Sequence, residues 1–150
     1  QHIKALMENT NIEKMYGIDP YATETWDMHS FFDINNEYGG FDGLYNELSE
    51  MLSVYGDRVE LVRKKSIEAA PDFEDGCLDF VFIDGFHDYK NCFNDINFWH
   101  NRVRDGGYVM GHDWDHGLHP GVQQAVIEHY GDEVVGIPGP VHVWYVQKNN

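Results

Sequence analysis

Two short apolar segments, each followed at once by acidic and imidazole side chains, constrain the fold of this chain most. They occupy residues 80–83 and 108–110. Unbroken apolar runs of this length indicate strands covered on both faces, as in a parallel sheet. Polar residues at the carboxyl ends of such strands lie in the crevice where open α/β sheets bind ligands. Four of them are therefore expected to converge on one site: Asp84, His87, His112 and Asp113.

Strand-like and helix-like segments alternate along the chain. Predicted strands cover residues 13–18, 58–63, 78–84, 108–111, 134–137 and 141–147, and predicted helices cover residues 1–8, 43–55, 66–70, 89–103 and 120–129. Asp42 and Asp88 are expected to cap the helices that follow them, and residues 20–40 are expected to form a long loop with a helical turn. The helix over residues 89–103 is predicted to end at Asp105-Gly106-Gly107 and to bury one apolar stripe, formed by Cys92, Ile96, Trp99 and Val103. The alternation predicts a single α/β domain over residues 1–150, with a doubly wound, mostly parallel sheet that closes on a C-terminal antiparallel strand.

Composition narrows the classes of partner. The 150 residues carry a net charge of −16, which repels a phosphate backbone and argues against nucleic acid as a partner. Two cysteines suit a reduced protein better than a disulfide framework. There is no apolar run of 18 residues and no signal-like amino terminus, so we expect a cytoplasmic protein without a membrane partner. Homo-oligomerisation stays open.

Three sequence blocks in a fixed order carry a family resemblance. They are Ile83-Asp-Gly-Phe-His-Asp-Tyr89, Gly106-Gly-Tyr-Val-Met-Gly-His-Asp113 and Pro120-Gly-Val-Gln-Gln-Ala-Val126. Their order resembles the class I S-adenosylmethionine-dependent methyltransferases, in particular the family-24 group with its macrocin- and catechol-type O-methyltransferases. The resemblance covers nearly the whole chain. It implies a Rossmann-like fold, S-adenosyl-L-methionine as cofactor, and methyl transfer to a hydroxyl of a small molecule, either a sugar or a phenol.

One family feature is missing from the sequence. The resemblance implies a Gly-rich loop after the first strand that holds the methionine end of the cofactor, but the first glycine here is Gly17. We expect either that the sequence is the N-terminally incomplete part of a longer protein or that the domain has lost cofactor binding. In the first case, the place between the strands ending at Asp19 and Asp84 should be filled by another segment or left distorted.

The resemblance implies a set of cofactor-binding residues. Asp19 would accept hydrogen bonds from the ribose hydroxyls, Ser66 and Ile67 would contact the adenine, and Asp84 would serve the cofactor or the acceptor. On local sequence alone, Asp19 is as readily a turn residue before Pro20, and Ser66 is a helix cap.

A divalent metal is the second expectation for the strand ends. Asp84 and Asp113 follow successive predicted strands, and paired carboxylates with open positions suit Mg²⁺. The metal-dependent relatives imply the same place, with His112 as the third ligand. An imidazole there could favour Mn²⁺, Fe²⁺ or Zn²⁺ instead. Many relatives bind no metal, so both readings stay open.

His87 is the predicted general base, with Asp84 as its catalytic neighbour. It stands where the catechol-type relatives carry a catalytic lysine, and a neutral imidazole can take the proton of an acceptor hydroxyl. The alternative is a histidine that caps the following helix or binds a backbone carbonyl.

Several further polar and aromatic residues near these positions have no assigned role. Asp115, His116 and His119 extend the polar cluster along the next loop. They could be further metal ligands or simply solvated loop residues. Three early aromatic residues could line an acceptor pocket or pack in the core: Tyr21, Trp26 and Phe31.

Two other functions remain as alternatives. Asp113-Trp114-Asp115 matches the short Asp-x-Asp pattern by which nucleotide-sugar glycosyltransferases bind a metal and a diphosphate. The missing glycine loop would also suit a non-catalytic remnant of a methyltransferase.

Overall fold

The structure, a computed structural model, describes residues 2–22, 28–115 and 117–149, with side chains for residues 3–22, 33–115 and 117–149. The α-helices in these ranges are α1 (His2–Asn9), α2 (Met28–Tyr38), α3 (Phe41–Leu52), α4 (Ser66–Ala69), α5 (Tyr89–His100) and α6 (Pro120–Tyr130). The strands are β1 (Met15–Ile18), β2 (Val59–Val62), β3 (Leu78–Ile83), β4 (Val103–Gly111), β5 (Val135–Ile137) and β6 (Val143–Gln147). None of the described helices is both long and apolar enough to cross a membrane.

The chain divides into two compact units, Gln1–Ala69 and Ala70–Asn150. In the first, β1 and β2 pair in parallel. The amide of Asp19 donates to the carbonyl of Val62 at 3.2 Å, so the ladder continues one residue past β1 and places Asp19 at the tip of the strand.

The helices of the first unit depart from the sequence prediction. Residues 28–38 form α2 rather than a loop, because Ile34 and Tyr38 are spaced to face one side of a helix and both pack in a cluster with Phe41. The cap predicted for Asp42 is wrong. Helix α3 begins at Phe41 after Gly40, and no side chain caps it. Asp42 lies in the first turn instead, where its charge favours the helix dipole.

The second unit contains a four-stranded sheet in the order β3-β4-β6-β5. β3 and β4 are parallel, whereas β6 runs antiparallel to both β4 and β5. This confirms the predicted α/β class and the closing antiparallel strand. The β1–β2 pair forms a sheet of its own, so the described strands make two sheets. The predicted single domain stays a prediction.

Helix α5 ends earlier in the chain than predicted, and strand β4 begins earlier. The helix ends at His100, and Val103 begins the strand instead of ending the helix stripe. Gly106 and Gly107 therefore lie inside the strand, where the register against β3 shifts. A Cβ on Gly107 would come within 2.6 Å of Val103 Cγ1, so only glycine fits this irregularity.

The core of the second unit lies where α5 and α6 cover the sheet. The predicted stripe of α5 is confirmed for Cys92, Ile96 and Trp99, which are all buried. These helices join the strand residues in one apolar cluster that includes Val109 and Trp144. The cluster anchors the ends of β3 and β4, from which the polar residues project.

Candidate functional site

The ends of β3 and β4 bring two polar segments side by side. The amide of His112 donates to the carbonyl of Ile83 at 3.1 Å, so the two parallel strands end in register. A Cβ on Gly111 would lie 2.6 Å from the Ile83 carbonyl oxygen and 2.7 Å from the indole of Trp144. The close approach of the backbones thus depends on glycine, and Asp84 follows one strand directly while His112 and Asp113 follow the other.

Asp113 is the central residue of this cluster. With 6% of its surface exposed, it is the one charged residue that is buried among those whose side chains the structure describes. Its Oδ2 lies 3.0 Å from Nε2 of His87 and 3.3 Å from Nδ1 of His112. A buried carboxylate needs such donors, because burial without a partner is costly. Its φ of 61° lies in the left-handed region, which aspartate adopts more readily than most residues other than glycine.

All three residues predicted as metal ligands lie together. One donor atom each from Asp84, His112 and Asp113 falls within 4.8 Å of the others. The Nδ1 of His112 is 3.9 Å from Oδ1 of Asp84, and both side chains are partly exposed. The spacing is that of a single-ion site with room for water or another oxygen ligand. Metal binding itself stays a prediction.

His87 faces Asp113 and not Asp84, its predicted neighbour. Helix α5 is capped by the carboxylate of Asp88, which accepts from the amide of Asn91 at 3.1 Å, as predicted. The capping alternative for His87 is therefore not needed. Its imidazole instead lies against His119, with ring centroids 4.1 Å apart.

His119 is the site residue that sequence reasoning left without a role. It precedes α6, and Gly121 in the first turn of that helix packs against the backbone before α5. A Cβ on Gly121 would lie 2.5 Å from the amide nitrogen of Tyr89 and 3.1 Å from the carbonyl oxygen of His87. The Pro120-Gly121 pair was the sequence signal for this position. Proline marks the start of a helix, and the glycine after it permits close approach of another backbone.

A small pocket opens among these residues. Its lining includes Asp84, His87, His112 and Asp113, with Cys92 and Trp144 at its apolar side. Burial, reinforced by nearby carboxylates, raises the pKa of the Cys92 thiol to about 12. In the absence of a metal the thiol is therefore protonated at physiological pH.

The two carboxylates of the Asp-x-Asp pattern, Asp113 and Asp115, contact different histidines. Asp115 Oδ1 lies 2.8 Å from Nδ1 of His142, and this hydrogen bond raises the pKa of the imidazole. The amide of Trp114 donates to the carbonyl of His142 at 2.8 Å. Asp113 belongs to both metal-capable sets among the described residues, and Asp115 belongs to neither. The geometry does not support the diphosphate-binding interpretation.

Three of the four predicted cofactor residues, Asp19, Ser66 and Ile67, follow β1 and β2, whereas the fourth, Asp84, directly follows β3. Oδ1 of Asp19 accepts from the amide of Tyr21 at 2.6 Å, and burial raises the pKa of the carboxyl. Ser66 and Ile67 open α4, with Ile67 exposed. Tyr21 is buried and packs edge-on against Tyr45 at 5.2 Å, as expected of a core residue.

Three of the residues considered from the sequence have no described side chain. Trp26, His116 and the side chain of Phe31 lie outside the described residues.

A family model described as "Methyltransferase domain" matches residues 2–114. Among individual proteins, the uncharacterized protein R132 of Acanthamoeba polyphaga mimivirus is 25% identical over 143 residues, which is 92% of this chain and 58% of that protein.

Solved structures show the same fold. CalS11, described as a calicheamicin methyltransferase, superposes with a TM-score of 0.65 at 16% identity, over 91% of this chain and 61% of that one. The O-methyltransferase NovP superposes with a TM-score of 0.60 at 15% identity, over 96% of this chain and 63% of that one. The chain thus spans about three fifths of the length of these relatives.

Proposed function

Because the chain belongs to the family of methyltransferase domains that its residues 2–114 match, we propose that it transfers a methyl group from S-adenosyl-L-methionine to a hydroxyl of a small molecule, either a sugar or a phenol. One observation carries the proposal. A buried carboxylate, Asp113, contacts two imidazoles at the carboxyl ends of parallel strands. Such a cluster can position a hydroxyl and remove its proton.

The cofactor is assigned to the ends of β1 and β2. Asp19 is held by the Tyr21 amide through Oδ1, and its partial burial makes the charged form costly. Hydrogen bonds from ribose hydroxyls to the carboxylate would offset that cost, which is the fit expected of a diol-binding acid. Ser66 and Ile67 would contact the adenine. When bound, the cofactor supplies an electrophilic methyl group activated by the positive sulfur.

A divalent ion fits the set of Asp84, His112 and Asp113. Their donor atoms are close enough to share one ion, and two carboxylates with one imidazole suit Mg²⁺ or Mn²⁺. An ion held by these residues would supply Lewis acidity toward the acceptor hydroxyl. Asp84 is the more exposed of the two carboxylates, and we assign it to the side that the acceptor would approach.

His87 is assigned as the general base. Its Nε2 lies 3.0 Å from Oδ2 of Asp113. With the ring proton on Nε2 donated to that carboxylate, Nδ1 carries the lone pair that accepts the hydroxyl proton. The resulting positive imidazolium is stabilised by the same buried carboxylate. Alignment of the oxygen with the methyl group supplies the remainder of the catalysis.

Binding and turnover of the native full-length protein test this function. We expect isothermal titration calorimetry to detect binding of S-adenosylhomocysteine. We also expect transfer of a labelled methyl group to sugar or phenolic acceptors to require S-adenosyl-L-methionine. Uridine diphosphate is the matched comparison ligand. Binding of uridine diphosphate without S-adenosylhomocysteine would favour a glycosyltransferase, whereas binding of neither would indicate a non-catalytic domain.

A further inference from the structure

Two metal-capable sets of side chains share Asp113. Besides the set proposed above, the donor atoms of His87, Asp113 and His119 also lie within 4.8 Å of one another. We propose that this second set is a separate site for Zn²⁺, and that zinc bound there inhibits methyl transfer by withdrawing His87 from proton transfer. The inhibitory part rests on the proposed function, whereas the zinc site does not.

The donor atoms distinguish the two sets. His87, His119 and Asp113 supply two imidazoles and one carboxylate, a combination that suits Zn²⁺ and Co²⁺. The other set supplies two carboxylates and one imidazole, which suits harder ions. We therefore expect the set with two imidazoles to prefer zinc and the set with two carboxylates to prefer magnesium or manganese.

The geometry is close to that of a bound zinc ion. Tetrahedral zinc with bonds of about 2.0–2.2 Å holds its ligand atoms about 3.3 Å apart. The Nε2 of His87 and Oδ2 of Asp113 are 3.0 Å apart, and the two imidazole rings have centroids 4.1 Å apart. The donor atom of His119 lies within 4.8 Å of both, so rotation of its side chain would bring all three atoms to one ion. His87 is 45% exposed, so water can reach the remaining coordination position.

Helix packing, and not a chance meeting of two loops, sets this spacing. Gly121 allows the first turn of α6 to lie against the backbone of His87 and Tyr89. Asp88 in turn caps α5 directly after His87. His119 immediately precedes α6 and His87 immediately precedes the Asp88 cap of α5, so the positions of both histidines are coupled to the packed helices and the core beneath them.

Zinc in this set has a defined chemical consequence. A neutral imidazole that coordinates through Nε2 carries its proton on Nδ1. Nδ1 of His87 is the atom assigned to accept the hydroxyl proton, so a zinc-bound His87 cannot act as base. The ion also takes the carboxylate of Asp113, on which the first set depends. Zinc should therefore oppose both elements of the proposed machinery.

Metal titrations of the full chain test the site without any activity. Zinc binding is measured by calorimetry, and Co²⁺ is used as a probe because its visible absorption reports tetrahedral nitrogen and oxygen ligands. We expect His119→Asn to weaken zinc binding by about 100-fold or more, since even outer-shell changes cost 10–100-fold. His129→Gln, near the other end of α6, is the control and should leave the zinc affinity unchanged at neutral pH.

Further variants keep the binding test decisive. His119→Gln replaces His119→Asn if the latter is unfolded by circular dichroism. Asp84→Asn should weaken Mn²⁺ binding far more than zinc binding. Zinc binding that survives both His119 variants and falls with Asp84→Asn overturns the second site, as does a full chain without measurable zinc affinity.

Inhibition is tested by transfer rates, each normalised to the same variant without zinc. We expect saturating zinc to slow the unmodified protein by about 100-fold or more, the typical scale for loss of a general base. His119→Asn should need correspondingly more zinc. Zinc binding without inhibition overturns the inhibitory part and the role of His87. Zinc binding in a protein with no transfer under any condition overturns the proposed function and leaves the site standing.

Discussion

The ends of β3 and β4 differ from the ends of β1 and β2 in the contacts that their acidic side chains make. At the ends of β3 and β4, a buried carboxylate already contacts two imidazoles. At the ends of β1 and β2, the single carboxylate of Asp19 is engaged by its own backbone, at the amide of Tyr21. The first group is a chemical cluster before any ligand arrives. In the second group, the hydrogen bond from the Tyr21 amide is local, and the proposed partners of Asp19 are the ribose hydroxyls of the cofactor.

This difference has an energetic basis. Asp113 is buried among donors, so its charge is compensated within the protein. Burial raises the pKa of Asp19, which indicates that its charge is less well compensated there. Changes in the first group should therefore affect chemistry and metal binding. Changes in the second should affect cofactor affinity.

Asp113→Asn is the strongest test of the assembled cluster. Asparagine keeps the shape and tolerates the positive φ, but it removes the charge shared by both metal-capable sets. We expect methyl transfer to fall by about 10⁴-fold, the upper end of the range for losing a general base. Asp79→Asn near the start of β3 is the control and should leave transfer unchanged. Normal turnover in Asp113→Asn would show that the cluster is not the reaction centre.

His87→Ala separates proton transfer from the rest of the cluster. We expect transfer to slow by about 10²–10³-fold, less than with Asp113→Asn because both carboxylates remain. Affinity for S-adenosylhomocysteine should persist. The fall in rate toward acid pH should disappear, because a protonated imidazole cannot accept a proton. An unchanged pH–rate profile would assign that fall to another group.

Asp19→Asn tests the other side of the comparison. Loss of charge-assisted hydrogen bonds worth about 1.5–3 kcal/mol should weaken S-adenosylhomocysteine by about 10–100-fold in calorimetry. The exposed Asp57→Asn is the matched control. If both variants bind equally well, the ends of β1 and β2 do not hold the ribose.

Gly121→Ala tests whether the cluster depends on helix packing. The added methyl would meet the Tyr89 amide at 2.5 Å, so α6 must shift, and we expect a loss of about 1–3 kcal/mol in the free energy of unfolding. Zinc affinity should fall with it. Gly117→Ala has no described atom within 4 Å and serves as the control. Equal urea midpoints for the two variants would contradict the packing argument.

The smallest effects concern pH and stability. Burial lowers the pKa of His129, so the unfolded chain takes up the proton first and stability is lost as pH falls below about 6.5. The hydrogen bond to Asp115 raises the pKa of His142, whose contribution is present at low pH and lost as pH rises. His129→Gln should therefore reduce the loss of stability on acidification, whereas His142→Asn should increase it.

Urea unfolding at about pH 5.5 and about pH 7.5 measures these slopes. Shifts of the same sign in both variants would contradict the assigned directions.

Local pattern was a good guide wherever a feature depends on neighbours in sequence. The apolar run before Asp84 predicted β3, the spacing of Cys92, Ile96 and Trp99 predicted the buried face of α5, and Asp88 was recognised as its cap. Errors occurred where a distant contact overrode the local signal. The paired glycines at 106–107 suggested a helix end, yet pairing with β3 draws them into β4.

The sequence by itself determined the α/β class, the closing antiparallel strand and the four polar residues at the ends of β3 and β4, because periodicity and strand ends are local properties of a chain. Only the tertiary structure decided that Asp113 is buried, that His87 faces it in preference to Asp84, and that His119 joins them. Those relations depend on how α6 packs beside α5 through Gly121. Residues 87 and 119 are distant in sequence, and only the packed core brings them within reach of one ion.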